Sequence, residues 1–470
     1  MKNIEIINRL IIIPPPQKQS DMIISRIRMS IGSADSLRGQ LVSGGISSAI
    51  IRGASQLLAL FIGIILARGL GAQNYGIYAY AIAWMLFLKV LAGFGLPALL
   101  LREAATSEVR LKWQYLRGLL VSTALIEVIV WFVLVAITAS SLWLLRDEMT
   151  RSKTLTFIVM LPLLLLTVWT NATLAALRGL RHVVKSQAVE MFIYPLLLLL
   201  ILAGLFTIVP GPYSPQYVMG IHVSVAAVIL CVALLMLFQN LPKPLLTTPA
   251  SYPIRQLLVR ALPFALLASA GLINDQADIL ILGMLRPFDD VGIYRVSVEI
   301  SGFVAFGLHA GNAVIAPNFA RIYAQGDMAR LQRLVTISAR VFFIPALLLA
   351  LIFFVAGGRI AAWIYGPEFL RAQTPLALLA AGQFVNASMG SVGYLLTMCG
   401  HEKVAVRILL WTAMLNITLN FVLIPLFGIN GAASASAFTL ALWNVLLYSA
   451  VKKHLRIRST AFSFSKLTRR

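Results

Sequence analysis

The chain has 470 residues, 59% of them hydrophobic and 12% charged, and carries a net charge of +22. A soluble globule of this length cannot bury so much apolar surface, so that class is excluded. Uninterrupted runs such as Leu161–Leu166 and Leu196–Leu202 also exclude an outer-membrane barrel, whose strands alternate in polarity over about ten residues. What remains is an all-α membrane protein.

In chain order, residues 1–40 come first. Their short apolar run Leu10–Ile13 stops at Pro14, Pro15 and Pro16, which argues against a cleaved signal. A cytoplasmic N-terminal extension, partly disordered or lying on the membrane, is expected. Spanning helices need about 20 mostly apolar residues, and twelve such segments follow. Six lie in a first lobe, 41–239, at about 43–67, 76–101, 117–145, 154–177, 187–209 and 216–239. The stretch 240–256, with Pro242, Pro244 and Pro249, reads as a cytoplasmic linker. Six more fill a second lobe, 257–451, at about 257–284, 291–317, 335–356, 374–399, 405–427 and 429–451. A basic cytoplasmic tail, 452–470, ends the chain. Cys231 and Cys399 fall within spans and leave no disulfide framework or metal-ligand spacing. No metal or other cofactor is expected.

Orientation follows from Lys and Arg, which are retained on the cytoplasmic side. Arg52, both tails and one alternate set of loops hold 30 of the 39, so both termini are expected in the cytoplasm. This bias explains the positive charge without nucleic acid. Lys452, Lys453, Arg456 and Arg458 suit anionic lipid headgroups instead.

An internal repeat is present. Ile65-Leu66-Ala67-Arg68 precedes Gly76-Ile77-Tyr78, and 216 residues later Ile281-Leu282-Gly283-Met284 precedes Gly292-Ile293-Tyr294. Its placement at the same point of each half predicts two parallel six-helix lobes related by an axis normal to the membrane. Transporters built this way place substrate between the halves.

Several segments resemble polysaccharide flippases of the Wzx type, in the multidrug/oligosaccharidyl-lipid/polysaccharide exporter superfamily. They are Ala67-Arg68-Gly69-Leu70-Gly71-Ala72-Gln73-Asn74-Tyr75-Gly76-Ile77-Tyr78, Gly93-Phe94-Gly95-Leu96-Pro97, Leu101-Arg102-Glu103 and Leu262-Pro263-Phe264. Asp278 with Val291-Gly292-Ile293-Tyr294, Tyr365-Gly366-Pro367-Glu368-Phe369 and Pro425-Leu426-Phe427-Gly428-Ile429-Asn430-Gly431-Ala432-Ala433 continue the series. The resemblance implies two lobes in a V around a central cavity and flipping of a polyprenyl-diphosphate-linked oligosaccharide from the cytoplasmic to the periplasmic leaflet of a bacterial inner membrane. It also brings a polymerase and glycosyltransferases into view as partners. Gly93, Gly95 and Pro97 read either as a hinge or as close packing of small residues.

Charges inside the bilayer cost roughly 2.5–3.5 kcal/mol each on insertion scales, so they should face the bundle interior or a wet cavity. At about 1.5 Å of rise per residue, Arg52, Lys89 and Glu127 reach similar depths in the first three spans. Arg52 and Lys89 are candidates for holding the carrier's diphosphate, with Glu127 lining the cavity. The alternatives are a structural pair with Glu127, or Arg52 reaching back to the interface. Asp275, Asp278, Arg295 and Glu299 form a second group, expected to pair Asp278 with Arg295. It is a candidate for coupling to H+ or Na+ or for gating, against a plain outer salt bridge. Gln383, Asn386 and Tyr394 on the tenth span, and Asn416 and Asn420 on the eleventh, form polar faces that suit a sugar-lined cavity or ordinary interhelical hydrogen bonds. His309 reads as an interior histidine rather than a relay.

A drug antiporter of the same superfamily is the competing transport reading, and a membrane glycosyltransferase, polymerase or ligase the competing enzyme. The short outer loops, with a single carboxylate, Glu368, in the longest, argue against the enzyme, because a carboxylate-pair mechanism needs two.

Overall fold

Inside a bilayer no water satisfies backbone groups, so long apolar runs must close their hydrogen bonds within a helix. In the computed structural model, residues 37–461 are described, apart from 111, 148, 209, 210, 212, 243, 244, 246 and 250–253, and these contain helices and no strand. Met1–Ile50 separates by contacts from Ile51–Arg470. Of the first unit, residues 37–50 are helical. The rest of the expected N-terminal extension and the tail beyond 461 lie outside the described residues.

The helices are α1 (Leu37–Gly93), α2 (Leu96–Arg110), α3 (Trp113–Leu144), α4 (Arg151–Gly179), α5 (Val183–Ala188), α6 (Tyr194–Ile208), α7 (Pro215–Asn240), α8 (Ile254–Leu285) and α9 (Phe288–Ser301). They continue with α10 (Phe306–Ala324), α11 (Met328–Tyr365), α12 (Gln373–Met389), α13 (Val392–Met398), α14 (Glu402–Phe427) and α15 (Ile429–Leu455). A π-turn, Val189–Ile193, joins α5 to α6. Nine helices among the described residues are long and apolar enough to cross a membrane, or up to eleven if each bent pair is one span. That count takes α1 as one span, yet α1 holds two arms, because Gly71 alone leaves helical geometry (φ 73°, ψ 167°). Twelve crossings are consistent with this. The expected loop after the first span is thus a one-residue reversal, open to glycine because an L side chain resists positive φ.

The repeated glycines meet. A Cβ on Gly76 would run into the Phe288 carbonyl, and one on Gly292 into the Ala72 carbonyl. Each carbonyl belongs to the residue four before the other glycine, so the contact is reciprocal. The second arm of α1 stops at Phe94 and Gly95, both at positive φ. A Cβ on Gly95 would lie 2.5 Å from Ala261 O and from Ala265 N. The helix break and the close approach of α8 therefore coincide, as the packing reading of this glycine expects.

After α15 the chain leaves the helix at Arg456, which has positive φ, and continues without regular structure. Leu455, Ile457, Ser459 and Ala461 are buried, while Lys452, Lys453, Arg456 and Arg458 are exposed. Gln332 fixes this segment by accepting from Arg458 N–H at 2.8 Å and donating to Arg458 O at 2.7 Å.

Candidate functional site

Lys89, half-buried on the second arm of α1, lines two adjoining cavities. The larger, about 440 Å³, is walled by Gly93, Gly95, Pro97, Asn171 and Arg178 from the first half of the chain and by Phe264, Ala268 and Leu272 of α8 from the second. The other, about 230 Å³, adds Thr167, Thr170, Glu190 and Tyr194. Arg178 Nη1 stands 3.2 Å from Glu190 Oε2; Arg178 lines the larger cavity with Lys89 and Glu190 the smaller. Glu190 is displaced by the π-turn, a device that frequently marks functional positions. Two cations against one carboxylate leave one positive charge beside the amide of Asn171.

The expected trio of Arg52, Lys89 and Glu127 is not assembled. Arg52 is exposed and lines neither Lys89 cavity. Glu127 is 0% exposed and faces a separate cavity of about 450 Å³ with Arg117, Thr123, Trp169 and Thr173. Neither of its carboxylate oxygens has a hydrogen-bond partner. Spacing along a helix gives depth but not the direction in which each helix turns its face.

The second group also divides. Arg295 Nε donates to Glu299 Oε1 at 3.0 Å, not to Asp278. Asp278 is buried and accepts from the Tyr294 hydroxyl, from Ser436 Oγ at 3.1 Å and from Ile279 N–H at 2.8 Å. Asp275 is exposed. The Arg295–Glu299 pair lines a cavity of about 210 Å³ with Ser55, Tyr75, Tyr78, Tyr194 and His222, and Tyr75 donates to Glu299 Oε1 at 3.1 Å.

The polar faces of the later spans carry hydrogen bonds of their own. Asn416 donates to Thr439 Oγ1 at 3.0 Å, joining α14 to α15, and Asn420 donates to Asn416 Oδ1 at 3.0 Å. Both are buried. Asn386 donates to Gln383 Oε1 at 3.2 Å, and Tyr394 is exposed. His309, expected in the interior, is exposed in the first turn of α10 and lines none of these four cavities.

Two of the glycine-rich motifs bind each other. Arg68 donates to the Ile364 and Trp363 carbonyls at 2.6 and 2.5 Å, satisfying last-turn groups of α11 that have no intrahelical partner. In return Glu368 accepts from Ala72 N–H at 2.7 Å, the first amide after the Gly71 reversal, where a helix N-terminus favours a carboxylate. Arg371 adds bonds to Asp289 at 3.0 Å and Asp290 at 2.8 Å. This latch ties the first half of the chain to the second.

Sequence reasoning missed Arg178, Glu190 and His222. Arg178 stands in the last turn of its helix close to Arg181 and Lys185, where composition alone does not single it out. His222 was legible, being the one residue of the apolar α7 able to take positive charge.

Residues 41–323 match the family described as polysaccharide biosynthesis protein. The chain belongs to this family. It is 26% identical over 172 residues to the probable low-salt glycan biosynthesis flippase Agl15 of Haloferax volcanii, a match spanning 36% of this chain and 36% of that relative. In fold, this family member is similar to an inward-facing multidrug resistance MATE transporter of the MOP superfamily (TM-score 0.65, 13% identity, covering 87% of this chain and 98% of that one). It is also similar to the lipid II flippase MurJ in an inward closed conformation (TM-score 0.64, 12% identity, 87% of both chains). The polysaccharide-family chain is therefore a multi-pass membrane protein of transporter fold.

Proposed function

We propose that the protein is a flippase. It moves a polyprenyl-diphosphate-linked oligosaccharide from the cytoplasmic to the periplasmic leaflet of a bacterial inner membrane by alternating access, for cell-surface polysaccharide synthesis, with both termini cytoplasmic. The observation that carries this reading is the Lys89–Arg178 pair in a cavity walled by both halves of the chain. Diphosphate oxygens take a point charge from Lys and a planar fork from Arg, and Asn171 offers an amide to the sugar or phosphate. Arg52, exposed nearer the basic end, is proposed to meet the diphosphate on its way in. The Arg68–Glu368 latch closes the end that the charge bias places outside, which fits a state loaded from the cytoplasm. The Arg295–Glu299 pair and Asp278 are proposed to gate the passage beneath that latch, with anionic lipids held by the exposed basic residues of the C-terminal segment.

The test follows lipid-linked saccharide in cells depleted of the protein. Complete units trapped on the cytoplasmic face, released by wild type and not by Lys89→Ala at equal expression, are expected. Intact units reaching the periplasmic face but remaining unpolymerised would replace this reading with an enzyme acting after translocation. The drug-antiporter reading draws on the fold shared with multidrug transporters, but the positive surplus at Lys89 and Arg178 repels organic cations.

A further inference from the structure

We propose that His222 is a proton-binding site, formed with Tyr78 and Tyr194, through which proton uptake favours opening of the Arg68–Glu368 latch. His222 is 6% exposed at the eighth position of α7. Its Nε2 lies 2.7 Å from the Tyr78 hydroxyl and its Nδ1 3.1 Å from the Tyr194 hydroxyl. A tyrosine hydroxyl both donates and accepts, whereas a neutral imidazole has one nitrogen of each kind. In the neutral ring, one tyrosine donates and the other accepts. In the imidazolium both accept, so the ring gains a proton without losing a partner. A histidine held by a backbone N–H would lack that freedom.

The second half of the chain has a related but different arrangement. Tyr294, the counterpart of Tyr78 by 216 residues, donates to Asp278, and its hydroxyl lies 3.4 Å from Ser436 Oγ. Ser436 is the eighth residue of α15, the place His222 holds in α7. The imidazole is therefore peculiar to the first half.

The groups facing His222 decide the sign. Tyr75 and Tyr78 come from the second arm of α1, Tyr194 from α6, and Arg295 and Glu299 from α9; α4, which also packs on α7, contributes no ionisable side chain to this cavity. Arg295 and Glu299 cancel, so protonation turns a neutral buried cavity into one of charge +1. Burial disfavours the charged form, so binding a proton favours the conformation in which water enters. Ala72, Tyr75 and Tyr78 recur every three residues on one arm of α1, and that arm begins at the amide held by Glu368. Tyr78, one of the two partners of His222, and the latch amide are thus on one helical arm.

This inference rests on the alternating-access reading above. The experiment uses the full-length chain in lipid nanodiscs and sodium-free buffer, with Cys231 and Cys399 replaced and spin labels at Asp147 and Phe427, near the latch end. The distance distribution is read at about pH 8 and about pH 5, the range in which histidine titrates. Wild type and His309→Gln are expected to raise the long-distance fraction about tenfold on acidification, within the usual range of coupling. His222→Gln, whose amide still donates and accepts, is expected to show no change. A response retained in His222→Gln, or absent from wild type, overturns the proposal. Should His222→Gln fail to fold, Tyr194→Phe takes its place, and an unshifted pH midpoint overturns it. Absence of any second distance population would also sink alternating access. A second population with an unaltered His222→Gln response would sink this inference alone.

Discussion

Gly76 and Gly292, 216 residues apart, rest on each other's helices, each lying over the carbonyl one turn before the other. The absence of side chains lets the two backbones touch, so the repeat in the sequence marks a contact and not merely a shared ancestry of loops. Small residues are how membrane helices approach closely.

Gly76→Ala and Gly292→Ala should each destabilise the protein by about 1–3 kcal/mol, the usual cost of overpacking. Gly204→Ala, where nothing lies within 4 Å of the added carbon, should be neutral or slightly stabilising, since alanine favours helix by about 1 kcal/mol. Thermal unfolding in detergent compares the three. Equal melting temperatures for Gly76→Ala and Gly204→Ala would contradict the contact.

Glu368→Ala removes the acceptor of Ala72 N–H, and hydrogen bonds involving a charged group contribute about 1.5–3 kcal/mol. The latch should open more often. A cysteine placed at Tyr75, 2% exposed in the closed state, should then react with a membrane-impermeant maleimide about tenfold faster or more. Unchanged labelling would mean that other contacts hold this end closed.

Arg178→Ala should lose translocation and also stability, because it breaks the 3.2 Å ion pair of Glu190, whose Oε2 is buried. Unpaired buried polar groups cost about 1–3 kcal/mol. Pairing it with Glu190→Gln should restore stability but not translocation, measured as lipid-linked saccharide reaching the outer leaflet at equal protein level. Recovery of both would make the pair structural and remove Arg178 from the diphosphate site.

Glu127→Gln should leave stability unchanged or raise it by about 1–2 kcal/mol, since its carboxylate is buried without a partner and a neutral amide is cheaper to bury. A melting temperature lowered by several degrees would reveal a cation or water bound to Glu127.

Asn416→Ala should cost less than about 2 kcal/mol, the range of interhelical hydrogen bonds in membranes, and leave translocation per molecule unaltered. Its amide joins α14 to α15 and lines none of the four cavities described above. Lost translocation in a fully stable Asn416→Ala protein would return it to the transport path.

The sequence by itself determined the solvent, the element type and much of the wiring. Apolar runs of bilayer length leave helix as the way to satisfy the backbone, and the glycine motifs marked the reversal at Gly71 and the break at Gly95 because positive φ is costly for other residues. Charges in apolar helices marked Lys89, Arg295 and Glu299 as worth attention, since their burial is expensive. Partners were another matter. Similar depth suggested Lys89 with Arg52 and Glu127, and Asp278 with Arg295, but the packing of helices turned Lys89 toward Arg178 and Glu190 and Arg295 toward Glu299. Only the tertiary structure decided that Arg68 meets Ile364 and that Glu368 meets Ala72, 296 residues away. Periodicity along a chain fixes which residues share a helix face; the rotation of that helix against its neighbours is set by the side chains of all of them at once.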